Sequence, residues 1–325
     1  MSCSIITKRK YETWPSWYVV YEWEDILSKK LGMDLEFSDG RSLDYRIQRK
    51  WKRIVFKYFH RISFGKVDVQ NMRLAFIMNA NDYYLYVDRN VIPIFLDFPE
   101  KMISVIAEKT KNLPFFFVTA LGICDLLKAH GSKNVIYMPI SISDMYFSEI
   151  IPKKTIDVIQ FGRKNPVLHE WMIEYVAEHP DVEYVYQSNN GSLTYISTTR
   201  GNLGKFDKRN EYVELLKSCR ISLVSTPGMD KSRTDFGNVD FFTPRFFESA
   251  AFYCHMLGRY IENKEADFLN IYDICPNVKT KQEFFDNVDK LLKISNDVNV
   301  DKYKAFLHSN LTSKRADLIK GALQI

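Results

Sequence analysis

The chain predicts an α/β protein of two similarly built domains, each an open, largely parallel sheet flanked by helices. Three observations carry that expectation. The 325 residues are about twice what a domain of roughly 150 residues needs. Short unbroken apolar runs alternate with stretches of helical periodicity, as strands buried on both faces beneath crossover helices do. The alternation then restarts midway, after Pro152-Lys153-Lys154.

Taken in order, residues 18–31 read as an early helix with Trp23 and Leu27 on its buried face. The first half continues with four strand-like runs at 74–78, 91–96, 115–118 and 135–138. Helical patterns at 100–111 and 120–129 lie between them. The second half opens with a strand at 156–161 and adds strands at 182–186 and 221–224. Its helices are expected at 166–178, 211–218 and 246–254, and a closing helix at 301–323. These boundaries divide the chain into a first domain at 1–150, a second at 151–300 and a C-terminal segment at 301–325.

Composition narrows the class. Hydrophobic residues make up 46% and charged residues 26%, ordinary for a soluble globular protein. The 23 Phe and 19 Tyr supply core and stacking surface. A net charge of +5 suits phosphate-bearing ligands or an anionic surface and is too small to call for nucleic acid. The five cysteines are scattered with no Cys-x-x-Cys pair, which suggests neither a disulfide framework nor a zinc site and fits a reducing cytoplasm. No His-x-x-x-His or His-Glu-x-x-His spacing occurs, so no metal site is expected. The N-terminus lacks an apolar signal region, and the longest apolar run, 113–127, is too short to span a bilayer. Residues 46–61 carry seven Lys or Arg among Trp51, Ile54, Val55, Phe56, Tyr58 and Phe59. They read as a basic amphipathic helix, either solvated on its own domain or facing an anionic membrane or lipid-phosphate acceptor at the inner membrane face.

Two strand-to-helix junctions have the residues a diphosphate needs. Phe161-Gly162-Arg163-Lys164-Asn165-Pro166 follows the first strand of the second half; Gly162 permits close backbone approach, and Arg163 or Lys164 offsets phosphate charge. In Asp240-Phe241-Phe242-Thr243-Pro244-Arg245-Phe246-Phe247-Glu248, Thr243 is a good N-cap and Pro244 suits the first helical position. The helix then aims free N–H groups and positive potential at a ligand. Arg245 and Glu248 could also simply pair at i, i+3. Asp97, at the end of the 91–96 run, and the Asn79-Ala80-Asn81-Asp82 stretch occupy strand ends where sites collect. Asp97 equally suits a helix cap ahead of Pro99.

Residues 240–251 resemble a motif of the GT-B glycosyltransferases, in particular the group-1-like branch related to the spore-coat protein CgeB. There an Arg-x-x-Glu pair followed by small residues closes the sugar-nucleotide site; the pair is Arg245 and Glu248 in this chain, followed by Ser249-Ala250-Ala251. The wider pattern of two acids separated by seven residues falls on Asp240 and Glu248, with aspartate where the first glutamate is usual. The resemblance implies two Rossmann-like domains facing across a cleft, with the C-terminal helix crossing back to the first. It implies a donor site formed by Gly162, Arg163, Lys164, Lys205, Thr243, Arg245, Phe246 and Glu248, and catalytic candidates Asp97 and Asp240. The implied activity is metal-independent, retaining transfer from a nucleotide-diphosphate sugar to a glycan or lipid-linked hydroxyl in surface polysaccharide synthesis. The nucleotide-sugar is then substrate and no cofactor is called for. A sugar-nucleotide epimerase of the same fold and a non-catalytic nucleotide- or glycan-binding subunit are the competing readings.

Overall fold

The computed structural model describes residues 3–38, 47, 49–52, 54–55, 63–87, 89–189, 191–231, 233, 237, 239–294 and 298–323, without the side chain of Asp97. Of the basic segment at 46–61, residues 46, 48, 53 and 56–61 lie outside that description. The chain divides into two compact units: Met1–Ser143 with Asp235–Val239 and Leu311–Ile325, and Asp144–Thr234 with Asp240–Asn310. No described helix is long and apolar enough to cross a membrane.

The first unit holds a six-stranded sheet in the order β2-β1-β3-β4-β5-β6. Its strands are β1 (Ser4–Thr7), β2 (Asp34–Phe37), β3 (Arg73–Asn79), β4 (Val91–Asp97), β5 (Phe116–Val118) and β6 (Val135–Tyr137), and every pairing is parallel. Leu74, Phe76, Ile77, Ile92, Ile94, Phe95, Phe116 and Phe117 are buried to the last few per cent, each burial removing about 1.5–3 kcal/mol of apolar exposure. Pro93 is tolerated inside β4 because the pairing with β5 begins only at Ile94, after the position that lacks an N–H. Helices α1 (Pro15–Leu31), α2 (Ile103–Thr110) and α3 (Leu121–Ala129) flank the sheet.

The terminal segment differs from the single helix expected at 301–323. It is two helices, α9 (Val300–Ser309) and α10 (Thr312–Leu323). The break arises because Thr312 gives both its N–H and its hydroxyl to Ile142 O, each at 2.9 Å, instead of continuing the helical ladder. Arg315 then donates to Pro139 O and Ile140 O at 2.8 and 3.0 Å, which pins α10 in the first unit against α1.

Helix α1 buries a carboxylate. Glu24 is 1% exposed, beside the Thr7 hydroxyl and 3.3 Å from Arg9 Nη2. Burial raises its pKa to about 7 in spite of the Thr7 and Arg9 contacts, which act the other way. Between about pH 4.5 and 7 the native state therefore holds a proton that the unfolded chain has lost. Stability should fall as pH rises through that window, by roughly 3 kcal/mol in all. Urea unfolding of wild type and Glu24→Gln at several pH values checks this: the variant should lose most of the slope, and an unchanged slope would assign it to other groups.

The second unit holds a six-stranded sheet in the order β10-β9-β8-β7-β11-β12. Strands β7 (Ile156–Gln160), β8 (Tyr184–Gln187), β11 (Cys219–Ser225) and β12 (His255–Arg259) are parallel. The edge hairpin β9 (Thr194–Ser197) and β10 (Gly201–Lys205) is antiparallel. Its helices are α4 (Pro166–Glu178), α5 (Arg209–Lys217), α6 (Pro244–Ala251), α7 (Lys264–Leu269), α8 (Lys281–Lys293) and α9. Val158, Leu168, Met172, Tyr184, Ile221, Leu257 and Phe284 form the heart of its core. Each unit is thus an α/β layering of helices on a largely parallel, Rossmann-like sheet.

Candidate functional site

From β7 the chain passes through α4 to β8 on one side, and α5 later returns it to β11 on the other side of β7. The loops leaving the C-terminal ends of β7 and β11 therefore diverge, which is where open parallel sheets leave a ligand crevice. Both sequence-identified junctions lie here. The first is the Gly162 turn after β7; the second is the N-terminus of α6, reached through the loop that follows β11.

Gly162 has φ +68°, a conformation that costs an L-residue roughly 1–2 kcal/mol. Its side is also occupied, since a methyl group there would stand 2.7 Å from Arg245 Nη2. Arg245 lies across the turn and donates from Nη1 to Arg163 O at 3.2 Å. No carboxylate pairs with it among the described residues. The Gly162 N–H donates to the hydroxyl of Tyr195 at 3.0 Å, so the edge hairpin supports the turn from the far side. Thr243 occupies the N-cap position of α6 and Pro244 the first helical one. Among the described residues Thr243 makes no capping bond, and its buried hydroxyl has no hydrogen-bond partner. The positive end of α6 thus lies beside an uncompensated guanidinium.

Glu248, expected to reach a ribose, lies behind this surface. It is 1% exposed, accepts from Arg209 Nη1 at 2.5 Å, and takes the Tyr212 hydroxyl at 2.8 Å. The i, i+3 pairing open to Arg245 is not made, because Arg245 turns to the Gly162 loop and Glu248 to α5. Phe246 is fully buried, edge-on to Phe242 at 4.9 Å.

Asp240 is 6% exposed and spends its carboxylate on its own surroundings. It accepts from the Thr226 hydroxyl, from Gly228 N at 2.9 Å and from Phe241 N at 3.1 Å. Burial raises its pKa, and those hydrogen bonds oppose the rise. The arrangement fixes the Thr226-Pro227-Gly228 turn after β11.

A second network joins the two diverging loops. Asn165 caps α4 by accepting from Leu168 N at 2.9 Å, and its Nδ2 donates to Asp230 at 2.8 Å. Arg259 grips Asp230 from Nε and Nη2 at 2.6 and 2.7 Å. Burial alone would raise the Asp230 carboxyl, but the bonds from Arg259 and Asn165 bring it below its ordinary value.

The remaining candidates disperse. Lys164 donates to Ser188 O at 3.0 Å and lies 5.0 Å from the Tyr186 ring centre, and partial burial lowers its pKa. Lys205 ends the outermost strand and pairs with Asp207 at 2.8 Å. The Asp97 backbone ends β4 opposite Asn79, in the first unit, and its side chain is outside the described residues. Among the described residues no group of three or more His, Cys, Asp or Glu is placed to hold a metal ion. Tyr195, Arg209, Tyr212 and Arg259 were missed by sequence reasoning. Asn165 alone had a local signal, an Asn-Pro pair at a helix start.

No protein-family model matches the chain, and no curated protein matches it in sequence. Solved structures are similar in fold. The putative UDP-N-acetylglucosamine 2-epimerase from Listeria monocytogenes has a TM-score of 0.52 at 9% identity, covering 99% of this chain and 95% of that one. The GtfA/B complex has a TM-score of 0.50 at 10% identity, covering 86% of this chain. TarM of S. aureus, in complex with fondaparinux, alpha-GlcNAc-glycerol and UDP, has a TM-score of 0.50 at 11% identity, covering 83% of this chain. The chain spans only 61% and 58% of the last two.

Proposed function

We propose that the second unit binds the diphosphate of a nucleotide-sugar and that the protein is a glycosyltransferase acting on a glycan or lipid-linked hydroxyl. The observation that carries this is the Arg245 guanidinium, lacking a carboxylate partner, held over the Gly162 turn at the positive end of α6. A guanidinium fork matches phosphate oxygens bidentately, and the nearby N–H groups add fixed positive potential. In transfer, the bond from the anomeric carbon to the diphosphate breaks as the acceptor oxygen bonds to that carbon. The diphosphate leaves with the electron pair, where Arg245 stabilises the growing charge, and the acceptor proton goes to a base. Asp97, at a strand end in the first unit, is the residue to test as that base. Asp240 holds the loop after β11, and Glu248 holds α5 and α6 together; both act by position.

A second reading is epimerisation of the bound sugar-nucleotide. Its support is the likeness in fold to the Listeria protein, at a TM-score of 0.52 over 99% of this chain. Incubation with UDP-sugars in D2O, with and without glycan acceptors, separates the readings by NMR. Transfer predicts acceptor-dependent release of UDP with no deuterium entering the donor ring. Deuterium at C2 with a second UDP-sugar appearing would establish epimerisation instead, and a donor left unbound and unconsumed would remove both.

A further inference from the structure

In the first unit, at the N-terminal ends of β5 and β6, the C-terminal ends of α2 and α3 border a recess of about 530 Å³. That volume lies within the range of small-molecule sites. Its polar lining includes Glu108, Lys111, His130, Ser132, Lys133 and Asn134, none of which belongs to the site described above. Lys111 and Lys133 have no ion-pair partner among the described residues, whereas Glu108 is offset by Lys109 at 3.4 Å. Ser132 is 6% exposed, yet its hydroxyl has no hydrogen-bond partner among the described residues. A buried hydroxyl without a partner costs about 1–3 kcal/mol, which a ligand in the recess would recover.

The recess therefore offers two uncompensated ammonium groups, an unused hydroxyl, and further acceptors. Asn134 Nδ2 is spent on Thr110 O and Leu113 O at 2.9 and 2.8 Å, leaving Oδ1 as an acceptor. His130 Nδ1 faces Leu126 O at 2.9 Å, leaving Nε2. Two helix C-termini disfavour an anion, but Asn134, Leu113, Gly131 and Ser132 already bond their final carbonyls. Two lysines suit a dianion, and a phosphomonoester carries about −1.5 to −2 at neutral pH. The carboxylate of Glu108 and the amide oxygen of Asn134 suit hydroxyl groups.

From this juxtaposition we infer that the first unit carries a second ligand site, separate from the nucleotide crevice, for a small phosphorylated polyol or sugar. Lys111 and Lys133 hold the phosphate, and Ser132, Glu108 and Asn134 hold the hydroxyl-bearing body. The inference stands whether or not the nucleotide-sugar reading holds, because it shares no residue with it.

Calorimetric titration of the full chain with glucose 6-phosphate, glucose and inorganic phosphate tests it. Glucose 6-phosphate should bind saturably at millimolar concentration or below and more tightly than either fragment. The paired variant Lys111→Ala/Lys133→Ala, in exposed side chains that leave the core intact, should weaken it at least tenfold. Ser132→Ala should weaken it several-fold, and Arg245→Ala should leave it unchanged. No saturable binding, or binding that survives the lysine pair, would overturn the site. Loss of binding in Arg245→Ala would place the ligand in the nucleotide crevice and overturn the site equally.

Discussion

Replacing Glu248 with alanine should destabilise the second unit by about 3–5 kcal/mol, the usual consequence of removing one partner from a buried ion pair. The carboxylate is 1% exposed and answers both Arg209 at 2.5 Å and the Tyr212 hydroxyl at 2.8 Å. Without it, a guanidinium whose side chain is only 12% exposed and a buried phenol lose their acceptor together. Against a total stability of about 5–15 kcal/mol, the loss should show as a large drop in the urea midpoint. Glu248→Gln keeps an acceptor but no charge and should fall between. In Arg209→Ala/Glu248→Ala the combined cost should be well below the sum of the singles, because the second change removes the orphaned charge. Additive costs, or a loss below about 1 kcal/mol for Glu248→Ala, would show that the carboxylate does not hold α5 against α6.

Sequence legibility followed the physics of burial. Strands β3, β4, β7 and β11 could be read because strands buried on both faces must be apolar throughout, so their runs stand out. Strand β2, Asp34-Leu35-Glu36-Phe37, lies at a sheet edge and mixes charge with apolar residues, which hides it. Strand β12 was hidden behind His255 and Arg259 at its ends. The hairpin of β9 and β10 lies in a stretch rich in Ser, Thr, Asn and Gly with no long apolar run to mark it, although it supplies Tyr195 to the Gly162 turn. The break at Asn310-Leu311 depends on Ile142, far away in the chain, so periodicity across 301–323 had nothing to register. In the site, Gly162 and the Thr243-Pro244-Arg245 junction were legible because each is local. The partner of Glu248 was not, since Arg209 precedes it by 39 positions and no spacing rule connects them.

The second large effect is expected on binding. Arg245→Ala removes the guanidinium that spans the Gly162 turn, and a charge-assisted hydrogen-bonding pair to phosphate is worth about 2–3 kcal/mol. Affinity for a nucleoside diphosphate should therefore fall roughly 30- to 150-fold. The fold should be little affected, because Arg245 is partly exposed and, among the described residues, its side chain makes one hydrogen bond, to a backbone carbonyl. Gly162→Ala should reproduce much of the loss by another route, driving the guanidinium off the turn through the 2.7 Å collision and straining a φ of +68°. Gly162→Ala should also lower stability by about 1–2 kcal/mol, which separates the two variants in unfolding experiments.

Calorimetric titration of UDP and of uridine into wild type and Arg245→Ala tests the diphosphate crevice most directly. The proposed site predicts that UDP binds wild type far better than uridine does, and that the variant erases most of that difference while leaving uridine as it was. Equal UDP affinity in the two proteins, or no UDP binding to wild type at millimolar concentration, would contradict it.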